Sequence, residues 1–156
     1  MAFELPERDP CPFCENLAGR VSADTETIKQ LAFIERQDLA AVFVNRFQVR
    51  RGAVLVVATR HAPTVLDLTE NEAEAIGRMV RRVAHGVYGA FEPIGLNVYQ
   101  NNGLVGGQTI PHYHVHVVPR YPGDSPDQGF WAEDAILIEY EERVRLAEQI
   151  AGHLPE

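Results

Sequence analysis

Lysine is almost missing from this chain: Lys29 is the only one in 156 residues, and arginine supplies the other basic side chains. Against 22 acidic residues the formal charge is −8, so the protein has no general attraction for a nucleic-acid backbone. An anionic ligand must be held locally by His, Arg and backbone N–H groups, which points to a small molecule and away from a polymer. Long hydrophobic runs are missing too. No stretch of about 18 apolar residues occurs, so no membrane-spanning segment is expected. The first ten residues are acidic and contain prolines, unlike the basic-then-apolar pattern of a secretory leader, and a cytoplasmic location is expected. Cysteine is scarce: Cys11 and Cys14 are the only two and share one Cys-x-x-Cys. In a cytoplasmic protein such a pair is a redox dithiol, half of a metal site, or two unrelated small buried residues. A thioredoxin-like dithiol would follow a strand and open a helix, whereas Pro6, Asp9 and Pro10 precede this one and suit a loop.

With 46% apolar residues, the chain can bury one good core and is expected to form a single domain over 1–156, with its centre at about 11–121 and a tail over 122–156. Asp24 to Gln30 reads as a short helix or turn. Phe33 to Glu35, Leu39 to Asn45 and Ala53 to Ala58 read as strands joined by tight connections. Thr69 and Glu72 form a capping box, and Ala73, Ile76, Val80, Val83 and Val87 follow at spacings of three and four until Pro93 forbids continuation. Arg78, Arg81, Arg82 and His85 fall on the solvated side of that helix. Leu96 to Gln100 and Tyr113 to Val118 are two further strands. A second helix is expected from Glu139 to about Gly152, with His153 exposed beyond it. Between these, Tyr121 to Phe130 is a loop rich in turn residues, and Trp131 is a lid or an anchor for the tail. The element pattern is α+β.

The chemistry concentrates at 112–118, where His112, His114 and His116 alternate with Tyr113, Val115 and Val117. Alternation along a strand sends all three imidazoles to one face and the apolar side chains to the other. A neutral imidazole is a nucleophile near pH 7, and a protonated one stabilises an oxyanion. The same spacing also suits a metal site, or a strand whose solvent face carries histidines. Just upstream, Asn101 to Thr109 form a glycine-rich turn ending in Gln108 and Thr109. Glycines let backbone N–H groups approach an anion, so the turn is a candidate phosphate cradle; Asn102-Gly103 equally suits a plain hairpin connection.

Asn-Gly, Gly-Gln-Thr and His-x-His-x-His in this order resemble the histidine triad (HIT) superfamily of nucleotidyl hydrolases and transferases. The likeness extends over Phe91 to Tyr121, over the paired strands of Leu39 to His61, and to Cys11-Pro12-Phe13-Cys14, which looks like the opening of zinc-containing bacterial members. The resemblance implies a two-layer, mainly antiparallel sheet with one long helix and a C-terminal helix, commonly a homodimer. It implies His114 as the nucleophile that forms a nucleotidyl-histidine intermediate, with His116 and Gln108 stabilising charge on the phosphate. Gly107 and Thr109 would assist them, together with Asn101. The ribose would fall to Asn45, and Phe13, Leu17 and Phe43 would sandwich a purine. Cys11, Cys14, His61 and His112 are where zinc-containing members place a structural metal. One position departs from the pattern: members carry a histidine after the glycine that opens the third strand, and here Gly52 is followed by Ala53.

Three readings follow. The first is a hydrolase or transferase acting on a nucleoside phosphoramidate or dinucleoside polyphosphate, the second a nucleotide-binding module with little turnover, and the third an enzyme using the three histidines as metal ligands. A purine nucleotide or nucleotide conjugate is the expected partner, without polymeric nucleic acid or membrane.

Overall fold

A computed structural model describes residues 3–125 and 135–156. Its centre is a five-stranded antiparallel sheet in the order β1-β2-β4-β6-β5. The strands are β1 (Phe33–Arg36), β2 (Ala40–Val44), β4 (Val54–Ala58), β5 (Gly95–Gln100) and β6 (His114–Arg120). β2 and β4 read as continuous apolar runs, and all ten of their residues are buried, as expected for strands covered on both faces. Alternation sorts them. Ala40, Val42, Val54, Val56 and Ala58 join Val115 and Val117 against the long helix α2 (Glu70–Phe91). Ala41, Phe43, Leu55 and Val57 face the other side, where Phe13 packs on them. Each fully buried valine contributes roughly 1.5–3 kcal/mol through apolar burial.

Helix α2 starts at the Thr69–Glu72 capping box and stops at Glu92, which is left-handed at φ 48° just before Pro93. Ile76, Val83 and Val87 are buried as their spacing predicts, but Ala73 is exposed and the inward stripe runs instead through Ala75 and Met79. Glu72 is buried as well, its carboxylate held by Arg60 at 2.7 and 2.8 Å. Arg78, Arg81 and His85 are exposed as expected. The C-terminal helix α3 (Tyr140–Ala151) packs with the α2 core through Ile150 and with Ala32 and Val44 through Leu146 and Ala147, and His153 lies exposed beyond it.

Two local expectations change. A short helix, α1 (Pro12–Leu17), opens directly at the cysteine motif with Cys11 as its N-cap. Pro12 at its first position supplies the fixed φ that starts a helix, so the prolines that suggested a loop only bound it. Residues 24–30 form no helix: Asp24 Oδ1 accepts the Gln30 N–H at 2.8 Å, and the buried Arg143 guanidinium clamps both Asp24 and the Gln30 carbonyl. Two short strands the sequence does not announce, β3 (Phe47–Gln48) and β7 (Ile136–Leu137), pair with each other outside the main sheet. Trp131 lies outside the described residues.

Candidate functional site

Strand register builds the site face. β4 pairs with β6 so that Val57 lies opposite His114 and Leu55 opposite His116, while β5 places Tyr99 opposite His116. With Phe43 opposite Leu55 and Phe33 opposite Phe43, one row across the sheet reads Phe33, Phe43, Leu55, His116, Tyr99. The next row holds Asn45, Ala53, Val118 and Asn97. His114 and His116 therefore stand on the face away from α2, backed by the valines that fix the strand.

His114 is buried, and its Nδ1 lies 2.7 Å from the His112 carbonyl. A carbonyl can only accept, so Nδ1 carries the hydrogen and Nε2 keeps a lone pair. Burial lowers the His114 pKa, and the ring is neutral. His116 stands with its ring centroid 5.1 Å from that of His114. Its pKa is pushed down to about 3, by burial first and by His114 second. A neutral imidazole of this kind still donates one N–H.

The strand begins at His114, so His112 belongs to the lead-in and turns away from its two partners. Its Nε2 donates to the Ala58 carbonyl at 2.7 Å, which leaves the Nδ1 lone pair facing Cys11 and Cys14, each Sγ at 3.5 Å. His61 Nδ1 lies 3.3 Å from Cys14 Sγ, and one ligand atom from each of the four residues falls within 4.8 Å of the others. A tetrahedron with zinc–sulfur and zinc–nitrogen bonds of normal length has edges of about 3.5 Å, so the cluster fits a Cys2His2 ion. Burial, then the neighbouring Cys11 thiol, push the Cys14 pKa up to about 12, and burial lowers that of His112 to about 4. With the thiols protonated, their S–H groups meet the His61 and His112 Nδ1 lone pairs; a bound cation would take the place of those protons.

The glycine-rich connection is locked from within. The buried Gln108 amide accepts the Gly103 N–H at 2.8 Å and donates to the Pro63 and Ile110 carbonyls at 2.7 and 2.9 Å. Gly107 N–H goes to Leu104, Gln108 N–H to Gly103, and the Asn101 amide to the Gly107 carbonyl. Gly107 sits at φ 82°, and a side chain at Gly106 would strike the Asn102 carbonyl. Where the sequence reading has Gln108 and the Gly107 N–H face a phosphate, in this geometry both bond groups of the loop and its surroundings. Thr109 is exposed at its edge.

Phe13 and Phe43 meet edge to face at 5.2 Å and are both buried, and Phe13 also contacts His112 and His114 edge-on at 5.6 Å. No base fits between the two rings. They and the half-buried Leu17 are the wall behind the histidines. Asn45 directly follows β2, its Oδ1 accepting the Phe47 N–H at 3.0 Å. Two residues of this face went unread in the sequence. The Tyr99 ring stacks on His116, and Asn97 Oδ1 is buried with no hydrogen-bond partner among the described residues. Alternation along Leu96 to Gln100 puts both on one face, but only the register says which.

Sheet and site together define an α+β protein in which β6, an inner strand, presents paired imidazoles beside a Cys2His2 corner. The family model of the HIT domain matches residues 26–123, and the chain belongs to that family. It is 30% identical over 144 residues to the Protein hit of Bacillus subtilis, which covers 92% of this chain and 94% of that one. A bis(5'-nucleosyl)-tetraphosphatase (asymmetrical) of Schizosaccharomyces pombe is 37% identical over 89 residues, 57% of this chain and 49% of that protein. The crystal structure of a Zn-bound histidine triad family protein from Mycobacterium smegmatis superposes with a TM-score of 0.73 at 24% identity, covering 92% of this chain and 94% of that chain.

Proposed function

We propose that the protein binds a purine nucleotide conjugate and cleaves it at the α-phosphorus through a nucleotidyl-histidine on His114. The observation that carries this reading is the hydrogen bond from His114 Nδ1 to the His112 carbonyl, which aims an unprotonated Nε2 out of a neutral ring. Attack by Nε2 forms the N–P bond while the bond to the leaving group breaks and its electron pair departs with that group. The developing imidazolium keeps its Nδ1 proton against the His112 carbonyl. Water then attacks the phosphorus, the N–P bond breaks with its electron pair returning to Nε2, the water's proton is released, and His114 is again neutral. His116 donates one N–H to a non-bridging oxygen, Thr109 stands at the loop edge for another, and Asn45 donates to the ribose.

Nucleoside phosphoramidates and dinucleoside polyphosphates both present such a phosphorus, and the tetraphosphatase relative supports the second class. Splitting one displacement into two lowers each barrier without a metal at the phosphorus. Zinc, held by Cys11, Cys14, His61 and His112, serves as a structural ion, since four protein ligands close its coordination sphere. That assignment takes His112 out of the phosphate chemistry. The protein works as a homodimer in the cytoplasm; Tyr88 on α2, Ile94 just before β5 and Val98 on that edge strand are exposed apolar residues.

Replacing His114 by Ala tests the reading. Hydrolysis is expected to fall at least about 100-fold while mononucleotide affinity stays within a few-fold, because the covalent step is lost and the binding contacts remain. Near-normal turnover would remove His114 as nucleophile. The alternative, a nucleotide-binding module with little turnover, draws on Ala53, which gives the histidine face no polar support from β4; tight mononucleotide binding with no cleavage of either substrate class would select it.

A further inference from the structure

Tyr99 lies flat on the His116 imidazole, with ring centroids 4.4 Å apart and planes within 3° of parallel. The contact is built into the sheet, because β5 and β6 pair these two residues directly and directly opposed side chains stand about 5 Å apart at Cβ. Nothing comparable comes from the other side. β4 offers Leu55 opposite His116, and Ala53, the residue just before β4, stands one row further on; both are apolar.

The three histidines are held in different ways. A carbonyl fixes the ring of His112 and another fixes that of His114. Among the described residues no hydrogen bond fixes the ring of His116, whose contacts are the tilted His114 ring and the stacked phenol. An imidazole with a free terminal torsion has a broad, roughly two-fold preference, so its N–H would sweep past a phosphate oxygen instead of pointing at it. A flat aromatic neighbour removes that freedom. The negative face of the phenol also favours the positive charge that gathers on an imidazole donating to a phosphate.

We propose that Tyr99 is a positioning residue for phosphate recognition: its ring sets the plane of His116 and so aims one N–H at the phosphoryl group held beside His114. The proposal rests on the reading of this face as a nucleotide phosphate site. It assigns the role to the ring and not to the hydroxyl, which separates Phe from aliphatic replacements.

The test compares the affinities of adenosine 5'-monophosphate and adenosine in the wild type, Tyr99→Phe and Tyr99→Leu by calorimetry. The ratio of the two isolates the phosphate contribution, and a purely structural role would move both affinities together. In Tyr99→Leu the ratio should fall about 5–10-fold, an effect of the size expected for one lost orienting contact, and kcat should fall with it while KM changes less. Tyr99→Phe should stay within about two-fold on both readouts. Should the Leu variant fold poorly, Tyr99→Val replaces it, a β-branched residue being suited to an edge strand. A ratio unchanged in the aliphatic variant, or a Phe variant as impaired as the aliphatic one, would overturn the assignment, as would a wild type that binds the two ligands equally. If the ratio behaves as expected while His114→Ala still hydrolyses substrate, the covalent mechanism is wrong and Tyr99 keeps its role.

Discussion

The main chain of His112 and the side chain of His114 are joined by a 2.7 Å hydrogen bond, while the His112 ring faces Cys11 and Cys14 in the opposite direction. One residue therefore borders both halves of the site, and each half can be disturbed separately.

Purified protein should carry about one zinc per chain. Changing Cys11 and Cys14 together to Ser should release the ion and lower the melting temperature, because an ion bound only by the folded state contributes to stability. Turnover per folded molecule should change far less than stability, since His114 takes its tautomer from a carbonyl. Elemental analysis of protein prepared without chelators, finding no zinc and two free thiols, would return His112 to the phosphate site.

Gln108→Leu removes an amide that satisfies one N–H and two carbonyls in the 101–110 connection. Unsatisfied buried groups of this kind cost about 1–3 kcal/mol each, so a loss of at least about 2 kcal/mol in urea unfolding is expected. The affinity for a mononucleotide should weaken as the loop loosens. An unchanged midpoint would mean that the loop is held elsewhere and that the amide is available for a ligand.

Acid should destabilise the fold through His116. Its pKa in the fold is depressed to about 3, against about 6.5 in an unfolded chain. Between these values the unfolded chain binds a proton that the folded one refuses, so stability rises with pH and is lost as pH falls from about 6.5 toward 3. Glu72 adds to this lower down: the Arg60 contact and the Thr69 backbone hold it at about 2, so its contribution is full above the ordinary carboxylate range and fades as pH falls to 2. Denaturation of His116→Gln across this range should show a slope shallower by up to one proton, about 1.4 kcal/mol per pH unit. Parallel curves for the two proteins would mean that His116 titrates normally.

Ala53 is 1% exposed and sits on the site face, diagonal to His116 across β4 and β6. Ala53→His has to force an imidazole into covered space, and overpacking of this kind costs about 1–3 kcal/mol. Turnover normalised to folded protein should nevertheless rise by about 10-fold on an adenosine phosphoramidate, the low end for a positioned acid–base group. Melting curves and kinetics on the same preparation separate the two effects. A stable but no faster variant would show that the residue at 53 does not limit the chemistry.

Much of this arrangement was legible in the residues themselves. Period-two alternation marks the histidine strand, Thr69 and Glu72 mark the start of α2, and the order of the glycine, glutamine and histidine motifs marks the family. Capping chemistry is local, so the sequence displays it directly. Partners set by register or by distant chain segments are not displayed. Nothing near Ala73 reveals that Glu72 is buried against Arg60, nothing in Gln108 tells whether its amide serves a loop or a ligand, and Tyr99 meets His116 only because β5 pairs with β6 at one particular offset.

That offset makes the site a matter of odd and even numbers. His114 and His116 share a sheet face with Leu55 and Val57 and oppose the face of Val54, Val56, Val115 and Val117, which the helix layer fills. Deleting one residue inside β6 would exchange the two sets, burying imidazoles against α2 and turning valines toward the ligand. Losing two would restore the faces and merely shift the rows. Length changes in this protein should therefore be tolerated in the connections and nearly forbidden inside β4 and β6, where even a chemically mild insertion inverts which side of the sheet can do chemistry.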